Sequence, residues 1–421
     1  MTRQTVLVVG AEENPVLPIL ESLSKAGLDV SVASHRRMSL GFFSRYAKRR
    51  FIYPSPYTQQ AAFLEALLEI VKANRFDVTL VLGDQTTDLL AEHKNSFLPY
   101  TRIPLVEMDR FQLCRDKSQT MKLAERLRIP IPKTYYPNIT GIEELSGNIQ
   151  YPVVLKPNCS DGARGISYPK SPEELIASYY MTVETYGPCH VQEYIPQTGM
   201  QYKAEFILDY SGSVQGWCVY NKIRYFPVSG GSSTLNSTVR RPDILETGYR
   251  ILKEMKWFGM ADCDFIEDPR DGAVKLMEIN PRFTRSIKIC VNAGVDFPLQ
   301  LFKLAMGESM SPMLDYSVGL YQRYLPGDIL WFLKSPHRFR SNPSFFKFMG
   351  ENMTDELFTL TDPLPFLGYL LGKGSNLINR NERQYCFGRH ETSRRPGAIA
   401  EAAPHDMSET LLKRHPGSRV V

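Results

Sequence analysis

Short runs of β-branched residues alternate with longer amphipathic segments over the first hundred residues, and this alternation restricts the fold more than any other feature. Residues 5–34 read as strand, helix and strand, in TVLVVG, AEENPVLPILESLSKAG and LDVSVAS. Residues 61–94 continue with a helix, the strand DVTLVLG and another helix. Strands that alternate with helices indicate βαβ units and a parallel sheet. We therefore predict an open α/β sheet that ends near residue 112.

Gly10 ends the first strand, where a dinucleotide site would need a glycine-rich turn. The segment GAEENP lacks the GxGxxG spacing through which a backbone approaches a pyrophosphate. A glycine that permits the turn is the favoured interpretation, and dinucleotide binding is the less favoured alternative.

The composition is that of an ordinary globular chain with several domains. The 421 residues are 43% hydrophobic and 23% charged, and the net charge of +5 is too small to indicate a nucleic-acid partner. The seven cysteines are scattered, without a CxxC pair, which argues against a zinc site and favours reduced thiols in the cytoplasm. No apolar stretch approaches the roughly 18–20 residues of a membrane span, and the N-terminal apolar run reads as a core strand rather than a signal peptide.

A second set of strands follows residue 151. YPVVLKP, VQEYI, QYKAEFILD and VQGWCVYNKIRYFP read as strands, and the later ones alternate as antiparallel neighbours do. MADCDFIED and AVKLMEINP then form a hairpin with Asp271-Gly272 at its turn. Beyond residue 311, GDILWFLKSPHRFR and SFFKFM are aromatic and basic, and we expect short helices there. From about residue 391 the chain is polar, and we expect disorder.

The predicted hairpin brings oxygen-bearing side chains together. In LMEINPRF, Glu278 and Asn280 are two positions apart, and such positions share one face of a strand. Asp264 lies on the incoming strand. Hard oxygen ligands suit Mg²⁺, which takes one or two protein carboxylates and fills its other positions with water and phosphate oxygens. We predict a metal site at these three residues; a surface hairpin with ordinary polar side chains is the alternative.

Basic residues upstream are suited to hold the phosphates of such a metal complex. Lys117 lies in CRDKSQT, and Lys156 ends the strand VVLKP. The turn SDGARG (160–165) follows Lys156 closely and can present backbone N–H groups while Arg164 adds charge. A lysine before such a turn, with a carboxylate pair downstream, is stronger evidence than the glycines alone.

In this order, the motifs of residues 113–310 resemble an ATP-grasp domain, which clamps ATP between two α+β subdomains. Residues 1–112 resemble the pre-ATP-grasp domain that usually precedes it. The sequences of the hinge and of INPRF are most similar to those of the carbamoyl-phosphate-synthase-like branch. The resemblance implies the following nucleotide-binding residues: Lys117, Lys156, Ser160, Gly162, Arg164 and Gly165, then Gln192, Glu193, Tyr194 and Ile195 at the adenine hinge. It assigns Mg²⁺ (or Mn²⁺) to Asp264, Glu278 and Asn280. Family members often have Glu where this chain has Asp264, so that contact could run through water.

The predicted organisation has four parts. They are a pre-ATP-grasp α/β domain (1–112), an ATP-grasp domain (113–310, with subdomains 113–190 and 191–310), a C-terminal extension (311–390) and a disordered tail (391–421).

Several arginines are candidates for handling the reacting carboxylate. Arg282 and Arg285 follow the metal pair directly, and an arginine fork recognises a carboxylate or acyl phosphate. Pairing of one of them with a local acid is the alternative, and Arg282 is the favoured site residue. In KIRYFPVSGGSSTLNSTVRR, Lys222, Arg224 and Arg240 could line the phosphate or substrate channel, or belong to a polar surface loop. We predict Lys222 as a nucleotide ligand and Arg240 and Arg282 as catalytic.

The resemblance implies an ADP-forming ligase that activates a carboxylate as an acyl phosphate and couples it to an amine. With one ATP-grasp copy and no amidotransferase segment, carbamoyl phosphate synthesis is disfavoured, and amino-acid-like substrates are expected. The alternatives are a bicarbonate-activating carboxylase and an ATP-binding scaffold or sensor without turnover. Membrane-surface association of residues 329–348 is weaker still, because they lack a clear amphipathic repeat. Dimers are common in the family, and the oligomeric state is left open.

Overall fold

The computed structural model describes residues 3–160, 162–228, 231–348 and 350–378, and it begins with a parallel sheet. Strands β1 (Thr5–Val9), β2 (Asp29–Ser34), β3 (Arg49–Ile52) and β4 (Val78–Val81) are arranged in the order β3-β2-β1-β4. Helices α1 (Val16–Lys25), α2 (Gln60–Asn74), α3 (Asp84–Glu92) and α4 (Lys94–Phe97) accompany them, with a 3₁₀ turn at Leu40–Phe43. The predicted open parallel sheet is confirmed.

Gly10 has a steric role at the end of β1. Its φ is +90°, and a Cβ atom there would lie 2.5 Å from the carbonyl oxygen of Leu82. Only glycine tolerates both conditions without displacing the backbone. The turn glycine inferred from the sequence is therefore confirmed, and it brings the segment after β1 against the end of β4.

A small antiparallel sheet follows, in the order β5-β7-β6. Its strands are β5 (Thr134–Tyr135), β6 (Val153–Pro157) and β7 (Cys189–Glu193), and its helices are α5 (Met108–Arg115), α6 (Lys117–Arg126), α7 (Pro137–Thr140), α8 (Ile142–Gly147) and α9 (Pro172–Tyr186). The predicted subdomain boundary at 190/191 falls inside β7. Because β7 pairs with β6 along its whole length, from Val153–Glu193 to Pro157–Cys189, the strand belongs entirely to the small sheet.

The large sheet has seven strands in the order β12-β11-β8-β9-β10-β13-β14. Its strands are β8 (Gln201–Leu208), β9 (Val214–Phe226), β10 (Ser232–Thr238), β11 (Gly259–Glu267), β12 (Val274–Asn280), β13 (Tyr321–Arg323) and β14 (Met353–Asp355). Its helices are α10 (Pro242–Glu254), α11 (Ile287–Asn292), α12 (Phe297–Met306), α13 (Leu325–Lys334) and α14 (Leu364–Ile378). Strands β13 and β14 come from the expected C-terminal extension, which therefore completes this sheet rather than standing apart from it.

Two expectations about the C-terminal region have different outcomes. Helix α13 confirms the helix expected in GDILWFLK, whereas residues 344–348 form a turn and irregular backbone. The expected disordered tail lies outside the described residues. Within the described part of the chain, no helix combines the length and the apolar character that crossing a bilayer requires.

Candidate nucleotide and metal site

The β11–β12 hairpin aligns the predicted metal ligands. Asp264 pairs with Glu278, and Asp262 pairs with Asn280, so the four side chains share one face of the sheet. Nδ2 of Asn280 donates to Oδ2 of Asp262 at 3.1 Å. The connection is slightly longer than PRDG (269–272), the segment between the two predicted strands. It covers residues 268–273, and Gly272, with φ of +72°, donates its N–H to the carbonyl of Asp268 at 2.8 Å.

Lysines from three other strands and one helix surround these acids. Nζ of Lys203 lies 3.0 Å from Oδ1 of Asp264 and also contacts Asp262. Nζ of Lys222 lies 3.6 Å from the same Asp264 oxygen, and Nζ of Lys117 lies 3.8 Å from Oε2 of Glu278. The acid–lysine cluster, as we name it, comprises Asp262, Asp264, Glu278, Lys117, Lys156, Lys203 and Lys222. The structure thus brings together the predicted residues Lys117, Lys156, Lys222, Asp264, Glu278 and Asn280.

Local structure explains the position of Lys117. Asp116 caps helix α6 by accepting from the backbone N–H of Ser118 at 2.9 Å, so Lys117 stands at the first position of the helix. Its Nζ donates to the carbonyl oxygen of Ser160 at 2.5 Å. The lysine therefore contacts both the acid–lysine cluster and the start of the glycine turn.

Lys156 is half-buried on β6, close to the same charges. Burial lowers the pKa of its ammonium to about 8. The charge of the neighbouring Lys117 lowers this pKa further, and Glu278 and Asp264 oppose the decrease only in part. Its strand neighbour His190 is buried, and burial, with the two lysines, holds the pKa of His190 well below its usual value. His190 is neutral and shares a 2.9 Å hydrogen bond with Asn158, as suits a structural residue.

The two aspartates of β11 have different acidities. Burial raises the pKa of both, but Lys203 and Lys222 outweigh it at Asp264 and lower the pKa there to about 2. At Asp262, burial and the neighbouring Asp264 outweigh Lys203, so the pKa rises to about 6. Asp264 is therefore fully ionised at neutral pH, as a metal ligand must be.

Glu205 lies behind the cluster, fully buried. Its Oε1 accepts hydrogen bonds from Thr284 at 2.6 Å and from Tyr220 at 2.9 Å. Burial and the neighbouring Asp262 hold its pKa well above the usual value. A neutral Glu205 supports the orientation of the cluster without adding charge to it.

The glycine turn is held close to the lysines. Besides Lys117, Arg115 donates to the carbonyl of Ser160, at 3.3 Å. Gly162 has φ of +53° and Gly165 has φ of +72°; at Gly165 a Cβ atom would lie 2.7 Å from Pro157. The second glycine is thus required by packing as well as by backbone conformation.

The hinge residues are only partly arranged as the resemblance implies. Glu193 was expected to face adenine, but its Oε1 lies 3.0 Å from the Lys275 ammonium and its Oε2 lies 2.8 Å from the Arg270 guanidinium. Both oxygens of the Glu193 carboxylate are therefore engaged by partners on the hairpin. Gln192 is buried and donates to Thr134 Oγ1 at 3.0 Å, while its Oε1 has no hydrogen-bond partner among the described residues.

The rest of the hinge is apolar. Ile195 is buried, and the Tyr194 ring meets the edge of Tyr168 with 6.0 Å between centroids. The contact of these two residues with a nucleotide stays a prediction.

Two of the predicted arginines have unexpected partners. Arg282 forms a bidentate pair with Asp84 of helix α3, with Nη2 and Oδ2 2.9 Å apart. Arg240 pairs with Asp315 at 2.9 Å, and the two side chains are 66% and 88% exposed. The structure therefore does not place Arg240 in the acid–lysine cluster, because its surface partner holds it elsewhere; the surface-loop alternative describes it better.

Arg224 and Arg285 are also tied to the C-terminal extension. Arg224 is fully buried and pairs with Asp328 at 2.9 Å, so it does not line a channel. Arg285 pairs with Glu356 at 3.4 Å and lies over the ring of Tyr324 at 4.1 Å. Arg282 remains the arginine beside the cluster.

Sequence reasoning missed Lys203, Asp262 and Glu205. A signal was present, because KAE and DCD each place charged residues at i and i+2 in otherwise apolar strands. Asp84, 198 residues from Arg282, carried no such signal.

The donor atoms of these residues decide whether the site fits the implied Mg²⁺. Among the described residues, no group of three or more His, Cys, Asp and Glu side chains is placed to hold a metal by itself. The predicted set is two carboxylates and an amide, all oxygen donors, which suits an ion that completes its shell with phosphate oxygens and water. The donor chemistry fits Mg²⁺ bound together with a nucleotide.

Comparisons with known proteins agree with this geometry. Residues 116–313 match the family described as the carbamoyl-phosphate synthase L chain, ATP binding domain. The D-aspartate ligase of Enterococcus faecium is 26% identical over 269 residues, which are 58% of this chain and 63% of that protein. A carbamoyl phosphate synthase large chain of Clostridium botulinum is 24% identical over 321 residues, 72% of this chain and 28% of that one.

Solved structures share the fold. Biotin carboxylase of Campylobacter jejuni superposes with a TM-score of 0.63 at 17% identity, covering 76% of this chain and 74% of that one. The L-amino acid ligase of Bacillus licheniformis gives 0.56 at 15% identity, with 72% and 75% covered. These findings together point to the ATP-grasp superfamily. The ATP-grasp fold and its ATP-binding domain, predicted from motif order, are confirmed, and the chain spans less than two thirds of the curated relatives given above.

Proposed function

We propose that this ATP-grasp protein is a ligase that activates a substrate carboxylate with Mg·ATP and couples it to an amine, releasing ADP and phosphate. The observation that carries the proposal is the acid–lysine cluster, in which cations from α6, β6, β8 and β9 face the carboxylates of one hairpin. The similarity to a D-aspartate ligase and the shared fold with an L-amino acid ligase support the same reaction class.

The lysines suit the triphosphate. Lys117 and Lys156 enter from the small sheet side, and Lys222 enters from the large sheet, so phosphates between the sheets would meet cations from both. Charge-assisted contacts of this kind are about twice as strong as neutral hydrogen bonds. The glycine turn beginning at Ser160 lies next to Lys117 and can cover the phosphates with backbone N–H groups.

Asp264, Glu278 and Asn280 would hold Mg²⁺ (or Mn²⁺). A bound Mg²⁺ would neutralise charge on the transferring phosphoryl group. Lys203 keeps Asp264 ionised, and Glu205 supports Asp262 from behind. These side chains need only position the reactants and stabilise charge, because the reaction requires no covalent enzyme intermediate.

The chemistry of the proposed reaction has two transfers. A carboxylate oxygen of the substrate bonds to the γ-phosphorus as the bond to ADP breaks, giving an acyl phosphate. The amine nitrogen then bonds to the acyl carbon as phosphate leaves, and the nitrogen loses a proton. Arg282, which pairs with Asp84, would orient the acyl phosphate.

An ADP-release screen of carboxylates against amines, with mass spectrometry of products, tests the proposal. We expect ADP release only when both substrates are present, and an amide product. Glu278→Gln should abolish the release, while Glu254→Gln, on the exposed face of α10, should not. Release with bicarbonate and no amine would instead indicate the carboxylase, and Mg·ATP binding without release across the panel would indicate the scaffold.

A further inference from the structure

The parallel sheet has a crevice next to the acid–lysine cluster. In the order β3-β2-β1-β4, the chain leaves β1 towards β2 on one side, and β4 lies on the other side. Loops at the carboxyl ends of β1 and β4 therefore diverge, which is where open α/β sheets bind ligands. The loop after β1 carries Glu12 and Glu13, and the loop after β4 leads into Asp84.

Glu13 is the carboxylate that faces this crevice without a partner. Its Oε1 would lie 3.3 Å from a Cβ atom at Gly83, so the side chain crosses from the β1 loop to the β4 loop. Glu12 is satisfied by Ser34 at 2.7 Å and by His35 at 2.9 Å. The Glu13 carboxylate has no hydrogen bond or ion pair within the described part of the chain.

The charges around Glu13 favour a cationic ligand. Burial, then Glu12, and then Asp84 raise the pKa of Glu13 to about 7, against the opposing effects of Arg282 and Arg36. Asp84 is itself an anion, so it cannot neutralise Glu13, and it already pairs with the Arg282 guanidinium. A half-buried carboxylate in this position is stabilised by an added cation that donates hydrogen bonds.

The crevice also adjoins the reacting centre. Arg282 connects the crevice to the predicted metal site, because its guanidinium pairs with Asp84 of the β4 loop and the residue follows Asn280 by two positions. A ligand with its ammonium on Glu13 would have this nitrogen near Arg282, the guanidinium proposed to orient the acyl phosphate, and the Glu13 carboxylate would take the proton that the nitrogen loses when it attacks the acyl carbon.

We propose that Glu13 binds the ammonium group of the amine substrate, which makes this crevice the acceptor site and selects primary amines of the amino-acid class. The inference rests on the proposed ligase function. Three features support it: the divergence of the loops after β1 and β4, the carboxylate of Glu13 and the neighbouring Arg282. Glu13 is then a residue that determines specificity.

Binding to the Mg·ADP-loaded full chain tests the assignment by calorimetry. The probes are the twenty protein amino acids and D-aspartate, with propionate, succinate and glutarate as counterparts without the amino group. We expect at least one amino acid to bind at pH 8 and its counterpart to bind at least tenfold more weakly. Glu13→Gln should weaken the amino acid about 10- to 100-fold and leave Mg·ADP binding unchanged, whereas Glu65→Gln, exposed on α2, should change neither.

The pH dependence separates ligand contact from a structural role. The charged groups facing Glu13 are Glu12, Asp84, Arg36 and Arg282, with His35 behind Glu12. Because protonated Glu13 cannot pair with an ammonium, the wild-type affinity should fall about tenfold from pH 8 to pH 6. The Glu13→Gln protein should show no such fall.

The outcomes are distinct from those of the ligase test. Unchanged amino-acid affinity or pH dependence in Glu13→Gln, equal binding of the counterparts, or no binding of any probe overturns the acceptor site. If binding depends on Glu13 but no carboxylate–amine pair releases ADP, the ligase proposal fails, and Glu13 keeps only the assignment of an ammonium-binding residue.

A second surface stands on independent observations in the C-terminal region. Phe345 is buried, and the Phe332 ring stacks on it with 4.2 Å between centroids. From this base, Phe339, Phe346 and Phe348 extend to the surface, and Phe339 is 73% exposed. Three exposed phenylalanines within ten residues form a patch that has no apolar neighbour over it in the described chain.

Cations surround this aromatic patch. Lys334, Arg338, Arg340 and Lys347 are all exposed, and residues 329–350 contain no Asp or Glu. A second copy of the chain would oppose these like charges across a two-fold axis, which disfavours self-association. Aromatic rings beside cations suit an anionic lipid surface, where the rings enter the headgroup region and the cations are attracted to the lipid charge.

We infer that the aromatic–basic surface, residues 334–348, docks on an anionic bilayer. Co-sedimentation of the full chain with phosphatidylcholine vesicles, with and without 30% phosphatidylglycerol by composition, tests this. We expect binding only with the anionic lipid, reduced at least tenfold in Phe339→Ser/Phe346→Ser and in Arg338→Glu/Arg340→Glu. Ile139→Ser, an exposed apolar change on α7, should bind as the wild type does. Absent binding, binding independent of the charge of the lipid, or a dimer that these variants dissociate overturns the inference.

Discussion

Asp328 on α13 is the buried anion that holds the C-terminal extension to the large sheet, and Asp328→Asn tests its contribution. Its Oδ1 lies 2.9 Å from Nε of Arg224, and its Oδ2 accepts from Nε of Arg323 at 2.7 Å. All three residues are at most 2% exposed. Asparagine preserves the shape but leaves two buried guanidinium groups without a counter-charge.

Removing one partner of a buried pair costs about 3–5 kcal/mol, much more than the pair itself stabilises. We expect the protection of the α13 amides against hydrogen exchange to fall by about 10²- to 10⁴-fold, since each 1.36 kcal/mol is about tenfold. Adding Arg224→Met to Asp328→Asn should restore part of the protection, because one unpaired charge disappears. Exchange should be followed peptide by peptide, with β1 as the internal reference.

Asp315→Asn is the matched control, because its partner Arg240 is held in an exposed pair. We expect no measurable change in exchange there. A less than threefold change in α13 for Asp328→Asn would refute the reasoning that the buried charges depend on this carboxylate.

Three further outcomes follow from the site and its surroundings. Lys117→Met should weaken Mg·ATP binding about 10- to 100-fold by calorimetry, while Lys170→Met, exposed outside the cluster, should leave it unchanged. Arg282→Lys should lower ADP release at least tenfold, because a lysine cannot reproduce the bidentate contact with Asp84; equal rates would remove the fork from the mechanism. Burial raises the pKa of Glu356 to about 7, so its protonated form stabilises the fold at low pH and that stability is lost as pH rises through 7. The free energy of unfolding of Glu356→Gln should therefore rise, relative to that of the wild type, by up to about 3 kcal/mol between pH 5 and pH 8. Urea midpoints that change with pH in the same way in both proteins would contradict this.

Local periodicity was sufficient for much of the fold. The parallel sheet and the β11–β12 hairpin depend on alternation within short windows, so the sequence predicted them together with the shared face of Glu278 and Asn280. Motif order likewise identified Lys117 and Lys156 before any contact between them and the hairpin was known.

Side-chain partners were beyond the same reasoning. Glu193 read as an adenine contact because its strand matches the hinge, but Lys275 and Arg270 reach it from 82 and 77 residues away. Arg240 looked like a site residue until the fold brought Asp315 beside it. The sequence also left undecided to which sheet a strand such as β7 belongs, because the hydrogen bonds between strands join residues that are far apart in the sequence.

By itself, the sequence determined the kinds of elements, their order and the chemistry of the residues on each face, because these follow from neighbours along the chain. Only the tertiary structure decided that Asp84 pairs with Arg282 and that Glu13 has no partner among the residues that the structure describes. Charges far apart in sequence meet or miss one another according to how the sheets pack, and that arrangement is a property of the whole fold.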